Sequence, residues 1–433
     1  MRLMSDYIVG IDIGSSKVSA AAGKFDKLGN LQIVGVTTAK CSGVNKGIVV
    51  DIDKTSDSVR SCIDQLERMI DDRIEEAYIS FPGVISELVP NKGVVAVSSE
   101  DKEIKENDVK RVIRAAKIIS ISSDREIIDV IPNQYIVDGT ENIKEPEGMS
   151  GTRLELDALL VTAQSALASN IMKSLNKAGI KVNGIVFEPL ASAAAALKEE
   201  EIMMGTALLD IGAETTNISV FKDGKIVYND HVNLGGSTIT SDIAIVMKIP
   251  QSQAEQIKIK YGMKGHDENN STVIKLKADF NNEVAVDLNI VKQIIEARIE
   301  EILILLNKKI MNSGYNGAIA GMVIVGGGIS QFEGIEEFGK SILLMPFRIA
   351  DLNYAGASSP VYATAVGVAK NVAELLKEKP TSAGAEFSKG KADRKGKSYK
   401  KDQDYDEDEY DEYDEREEEG IIGKIKGFFS EFF

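Results

Sequence analysis

Tyr7-Ile8-Val9-Gly10-Ile11-Asp12-Ile13-Gly14 and Thr206-Ala207-Leu208-Leu209-Asp210-Ile211-Gly212-Ala213 are two copies of one device, an apolar strand ending in Asp-Ile-Gly, with Asp210 following Asp12 by 198 residues. A strand that stops at an acid and turns on glycine delivers a carboxylate to the end of a sheet. The small turn behind it lets backbone amides approach phosphate oxygens. Repetition at so long a period predicts an α/β fold of two duplicated domains facing each other across a nucleotide cleft.

Working outward, each copy is followed by two more strand patterns, Lys17 to Ala22 and Leu31 to Thr37 in the first half, Thr216 to Lys222 and Lys225 to Val232 in the second. A helix from Ser56 to Ile70 is expected next, with Thr55 as N-cap and Val59, Ile63, Leu66 and Ile70 on one stripe. Glu76 to Phe81 reads as a buried strand stopped by Pro82-Gly83. From there the texture changes to strand, charged helix (Glu106 to Ile119) and two strands, a small β-α-β-β insert, with Gly139 to Gly151 read as a loop. The expected division is 1–83 and 163–198 for the first domain and 84–162 for the insert. Residues 199–247 and 317–379 are then the second domain's core, 248–316 its subdomain, 380–419 a disordered linker and 420–433 a terminal helix.

Composition narrows the function. The formal charge is −16, but Asp402 to Glu419 holds thirteen acids and only Arg416 as a base, so −12 of it lies there and −4 in the rest. A nearly neutral folded part gives no electrostatic support for nucleic-acid binding. Cys41 and Cys62 alone make neither a disulfide framework nor a zinc site, which fits a reducing cytoplasm, and His231 and His266 are too few for histidine-based metal or triad chemistry. No signal region opens the chain and no run approaches eighteen apolar residues.

The candidate site follows from the two devices. Asp12, Gly14, Ser15, Ser16 and Lys17 form one phosphate loop; Asp210, Gly212, Ala213, Glu214, Thr215 and Thr216 form the other. Their aspartates are placed to reach a Mg²⁺ shell through water. Val323-Ile324-Val325 opens into Gly326-Gly327-Gly328, a backbone stripped of side chains against which a planar base can lie, and Gly235-Gly236 precedes a helix whose N-terminus is expected to face the anion. Any one of these motifs is weak, since Asp-x-Gly turns and glycine triplets are common. Four in order within a duplicated α/β chain are specific.

These residues resemble the superfamily of actin, heat-shock chaperones and sugar kinases. The resemblance implies ATP with Mg²⁺, two hinge helices at Phe187-Glu188-Pro189-Leu190-Ala191-Ser192-Ala193 and Ala363-Thr364-Ala365-Val366-Gly367, Glu188 near the water that attacks the γ-phosphate, and Glu255 and Lys258 near ribose and adenine. The alternative for the helix carrying Glu255 and Lys258 is a solvated charged face. Within the superfamily the chain is most similar to the bacterial cell-division FtsA family, through the insert with Ile127 to Tyr135, the segment Gly235 to Ala244 and the tail. The departure is Ala213-Glu214, where the superfamily commonly has glycines. Glu214 could help hold Mg²⁺ or disfavour a triphosphate, so hydrolysis is expected to be slow at most.

The tail Gly420 to Phe433 carries Ile421, Ile422, Ile425, Phe428, Phe429, Phe432 and Phe433. At about 100° per residue all seven fall within an arc of about 140° that holds no polar side chain, an amphipathic helix suited to a membrane interface. Docking of that helix on its own domain or on another protein is the alternative. The FtsA resemblance further implies filaments, other division proteins as partners, and recruitment of the tubulin-like FtsZ, whose C-terminal peptide would dock on 248–316, at the cytoplasmic face of the membrane. Three readings compete: a pilus-assembly relative, a small-molecule kinase of the same fold, and a chaperone, for whose peptide-binding domain the tail leaves no room.

Overall fold

The computed structural model describes residues 7–378, except 267–269, 278–282 and 355. The expectations for 380–419 and 420–433 lie outside the described residues.

The first half opens with β1 (Ile8–Ile13), β2 (Lys17–Phe25) and β3 (Leu31–Lys40), then a two-stranded ribbon of β4 (Val44–Asn45) and β5 (Ile48–Val49), helix α1 (Ile52–Ile70) and β6 (Glu76–Phe81). The N-cap of α1 is Asp51, whose side chain accepts from the Lys54 amide, and not Thr55. Thr55 lies one turn inside, where its hydroxyl donates to Asp51 O at 2.8 Å. An acid held by the first-turn amides outcompetes a threonine able to satisfy only a carbonyl.

The insert holds β7 (Ser86–Ala96), α2 (Glu106–Ala116), β8 (Arg125–Val137), β9 (Thr140–Ile143) and β10 (Arg153–Gln164). Its sheet runs β7-β10-β8-β9 in order, so it has one strand more than expected. That strand, β9, lies inside the stretch read as a loop, where the left-handed pair Asp138 and Gly139 turns β8 back on itself. Gly93 is the contact with α2, since a Cβ there would stand 2.2 Å from Val112 O.

Helix α3 (Ser165–Lys177), strand β11 (Lys181–Phe187) and helix α4 (Glu188–Ala196) complete the first domain. Helix α5 (Glu199–Met204) leads into β12 (Thr206–Ile211), β13 (Thr216–Lys222) and β14 (Lys225–Val232). Then come α6 (Gly236–Met247), α7 (Gln251–Tyr261), β15 (Val273–Lys277), β16 (Glu283–Asp287), α8 (Leu288–Ser313), β17 (Gly321–Val325), α9 (Ile335–Leu343), β18 (Phe347–Ile349) and α10 (Ala363–Glu378).

The duplication read from Asp-Ile-Gly extends to the whole topology. One sheet runs β3-β2-β1-β6-β11 and the other β14-β13-β12-β17-β18. In each, the first three strands pair antiparallel and the last two join in parallel. Both aspartates therefore end the central strand of a five-stranded sheet.

The apolar alternation of the strands builds one core around β1, β2, α1 and α3 and another around β12, β17, α6 and α8. Helices α4 and α10 cross beneath the cleft. Ser192 and Thr364 share a hydrogen bond of 2.9 Å there, and Lys370 Nζ donates to Ala194 O at 2.7 Å. Both cysteines are buried free thiols.

Candidate nucleotide cleft

The two phosphate loops are built alike. Gly14 N–H donates to Lys17 O at 3.0 Å, and Gly212 N–H donates to Thr215 O at 3.0 Å, so each turn closes on the first residue or neighbour of its return strand. The glycine triplet packs directly on the second loop. Gly326 has φ +83°, and a Cβ there would stand 2.5 Å from Asp210 Oδ1; a Cβ on Gly328 would stand 2.5 Å from Gly212 O. Gly327 faces the first loop, 2.7 Å from its virtual Cβ to Lys17 Nζ. Side chains at these positions would fill the space that the loops enclose.

Between the loops lies a cleft open to solvent. Asp12, Gly14, Ser15, Ser16, Lys17, Glu188, Asp210, Gly212, Ala213, Thr215, Gly326 and Gly327, all named from sequence, line it. Ser80 Oγ donates to Asp12 Oδ1 at 2.7 Å, the Gly83 amide donates to Glu188 Oε2 at 2.6 Å, and Thr364 Oγ1 lies 3.4 Å from Asp210 Oδ2 as donor.

Charge is the cleft's dominant feature. Burial, then the neighbouring Asp210 and Asp12, push Glu188 well above the usual carboxylate range. Burial and the charge of Asp12 push Asp210 up to about 7. Asp12 is also raised by burial, against the pull of Ser80 and Lys17. Lys17 is lowered by burial although Asp12 and Asp210 face it. Three carboxyls thus share one ammonium in a poorly solvated space and cannot all ionise together.

Such a set of hard oxygen donors, short of positive charge, fits Mg²⁺. Among the described residues no three ligating side chains stand together as a metal cage.

These shifts have a consequence for the ligand-free protein. Between the ordinary aspartate pKa and about 7, folded Asp210 keeps a proton that the unfolded chain has lost, so stability falls as pH rises through that window. Depressed carboxylates such as Glu201 and Asp230 titrate below it. His231, whose burial lowers its pKa, opposes the slope near its ordinary value. The expected result is a melting temperature that falls less steeply from pH 5.5 to 8 in Asp210→Asn than in the parent, the difference being at most about 1.4 kcal/mol per pH unit. Parallel slopes in metal-free and nucleotide-free buffer would contradict the charge trio.

Several sequence-named residues stand outside the cleft lining. Thr216 is fully buried and spends its hydroxyl on Leu234 O at 2.9 Å. Glu214 is not among the lining residues and accepts the Lys46 amide at 2.6 Å. Gly235 and Gly236 sit behind the second loop: Gly236 N–H donates to Gly212 O at 3.0 Å and Ser237 N–H to Ala213 O at 2.7 Å. Those leading amides of α6 are consumed by loop carbonyls, which overturns the expectation that they face an anion. Lys258, 6% exposed, donates to Gly236 O and to Thr240 Oγ1, each at 2.9 Å, and pairs with Glu255 at 2.7 Å. The pair ties α7 to the start of α6, with Lys258 buried and the Glu255 side chain 43% exposed.

Sequence reading missed Asn217, Gly47, Pro82, Val84, Pro360 and Val361 in the lining, and Ser80, which donates to Asp12. Asn217 had a signal. It is the cross-strand partner of Asp210, as Ser19 is of Asp12, and both carry a buried side-chain oxygen without a hydrogen-bond partner. A four-residue turn closing on a strand places them opposite the acids.

Two equivalent sheets meeting at a cleft and joined by two crossing helices define the actin-like ATPase fold. Solved structures share it: MreB5 of Spiroplasma citri bound to AMPPNP (TM-score 0.51, 12% identity, 90% of this chain and 100% of that one) and the PilM–PilN type IV pilus biogenesis complex (TM-score 0.59, 16% identity, 84% and 98%). A family model described as Cell division protein FtsA matches residues 207–367, and one described as the SHS2 domain inserted in FTSA matches residues 85–162. The cell division protein FtsA of Bacillus subtilis is 36% identical over 372 residues, covering 84% of this chain and 83% of that one. That of Enterococcus faecalis is 33% identical over 443 residues and covers 98% of both chains. The chain belongs to the FtsA family of cell division proteins.

Proposed function

We propose that the cleft binds ATP with Mg²⁺, that the bound protein assembles into filaments, and that the tail ties these and FtsZ to the cytoplasmic face of the membrane at the division site, with other division proteins as partners. The observation that carries the nucleotide reading is the convergence of two equivalent glycine turns on Asp12, Asp210 and the single cation Lys17. Lys17 offsets phosphate charge from the first loop, while the second loop is held rigid by the glycine triplet and the start of α6. Bound Mg²⁺ would neutralise phosphate charge, with Asp12 and Asp210 holding its waters.

Hydrolysis requires a group that takes a proton from water. Glu188, fixed by the Gly83 amide, is the acid placed for it, and the unpartnered Asn217 Oδ1 is the acceptor placed to hold that water. Burial and the neighbouring Asp210 and Asp12 hold the Glu188 carboxyl well above its usual range, which opposes its action as a base. No helix among the described residues is long and apolar enough to cross a membrane, and attachment is assigned to Ile421 through Phe433. For the FtsZ peptide we assign the groove between α6 and α8, where exposed Ile245 and Val246 lie beside Ile294 and the Arg298–Asp242 pair.

Asp12→Ala and Asp210→Ala are each expected to weaken Mg²⁺-ATP binding at least about tenfold in calorimetry, the loss of one charge-bearing ligand in a desolvated site. Unchanged affinity in both refutes the paired-loop reading.

A further inference from the structure

Glu214 has a partner that neither reading of it from sequence supplied. The β4–β5 ribbon is anchored by Val44 and Val49, both buried in the core of the first sheet. Its tip is Lys46-Gly47, with both residues left-handed at φ 48° and 79°. The turn aims two consecutive amides at two different loops. Gly47 N–H donates to Ser15 Oγ of the first phosphate loop at 3.2 Å, and Lys46 N–H donates to Glu214 Oε2 of the second at 2.6 Å. Gly47 also lines the cleft, and a Cβ there would stand 2.4 Å from Val84, so the tip is seated and cannot slide inward.

We propose that Glu214 is a positioning residue for bound nucleotide: by capturing the ribbon tip it clasps the two phosphate loops together over the phosphates and retards release. The proposal rests on the reading that the cleft binds nucleotide. A glycine at 214 would leave the tip attached to one loop only, because no side chain would cross the gap. The amide also offsets part of the carboxylate's charge. For phosphates to leave, the loops must part, and parting breaks the Lys46–Glu214 hydrogen bond. Glutamine at 214 keeps the carbonyl acceptor and its reach; alanine removes both.

The test is stopped-flow displacement of a fluorescent ATP analogue from the full chain, with Mg²⁺ varied. Glu214→Ala is expected to speed release roughly three- to tenfold, the scale of one charge-assisted hydrogen bond at a partly exposed site, while association changes little. Glu214→Gln is expected to restore most of the retention, which a loss of folding would not allow. Release from Glu214→Ala at the parent rate overturns the clasp. Equal acceleration in both variants with a shifted Mg²⁺ dependence also overturns it, assigning the carboxylate to the metal. Failure of the parent protein to bind the analogue removes the nucleotide reading itself, an outcome distinct from the other two.

Discussion

Alanine at Gly367 will lower the melting temperature by about 4 °C or more and weaken Mg²⁺-ATP binding at the same time. A Cβ there would stand 1.7 Å from Ala191 O, 2.4 Å from Ala191 C and 3.2 Å from Ala191 Cα. These are backbone atoms inside α4, so no rotamer change relieves the clash and the two hinge helices must separate. Overpacking of this kind costs about 3 kcal/mol or more, and one kcal/mol shifts a protein of this size by about 1 °C. Separation also stretches the Ser192–Thr364 hydrogen bond, and with it the hydroxyl that reaches Asp210. The control is Gly317→Ala, since a Cβ on Gly317 meets nothing within 4 Å. Equal melting of parent and Gly367→Ala in scanning calorimetry would show that α4 and α10 do not cross as described.

The central strands and the carboxylates were legible because they depend on short-range pattern. An apolar run ending in Asp-x-Gly states its own boundary, and the same run repeated states the architecture. What sequence could not show depends on partners far along the chain. The six-residue helix α5 is held by Arg348, whose guanidinium grips both oxygens of Glu201 at 2.8 and 2.6 Å from a strand 147 residues later. Helix α9 and the short strand β18 hold each other through Ile349 N–H to Glu336 Oε1 at 2.7 Å, and neither has a periodicity long enough to announce itself. The same limit governed the site. Proximity in the chain put Thr216 and Glu214 in the second loop, but the pleat turned Thr216 into the core and the ribbon tip, 168 residues away, engages Glu214. Sequence gave the types of group that meet at the cleft; which of them face it was set by register and by the crossing of β-strands.

Deleting Ile421 to Phe433 will abolish sedimentation with lipid vesicles, whereas the intact chain will pellet and Mg²⁺-ATP will increase the pelleted fraction. Seven large apolar side chains, each worth roughly 1.5 to 3 kcal/mol when fully buried, give on the order of 10 kcal/mol gross. Partial insertion and the ordering of a short segment that contains Gly423 and Gly427 take back much of it, so one tail holds a membrane weakly. If the chains assemble as proposed, many tails bind together, because once the first is inserted the others search a small volume. On the proposed function nucleotide would act on membrane binding through assembly, so Asp210→Ala is expected to retain the weak, ATP-independent fraction while losing the increase. Lys424 and Lys426 are partly balanced by Glu431, so binding should persist when salt is raised from about 0.1 to 0.5 M, unlike adhesion by a basic patch. Pelleting by the truncated chain would place the membrane contact elsewhere, and tail-dependent pelleting indifferent to ATP would separate anchoring from assembly.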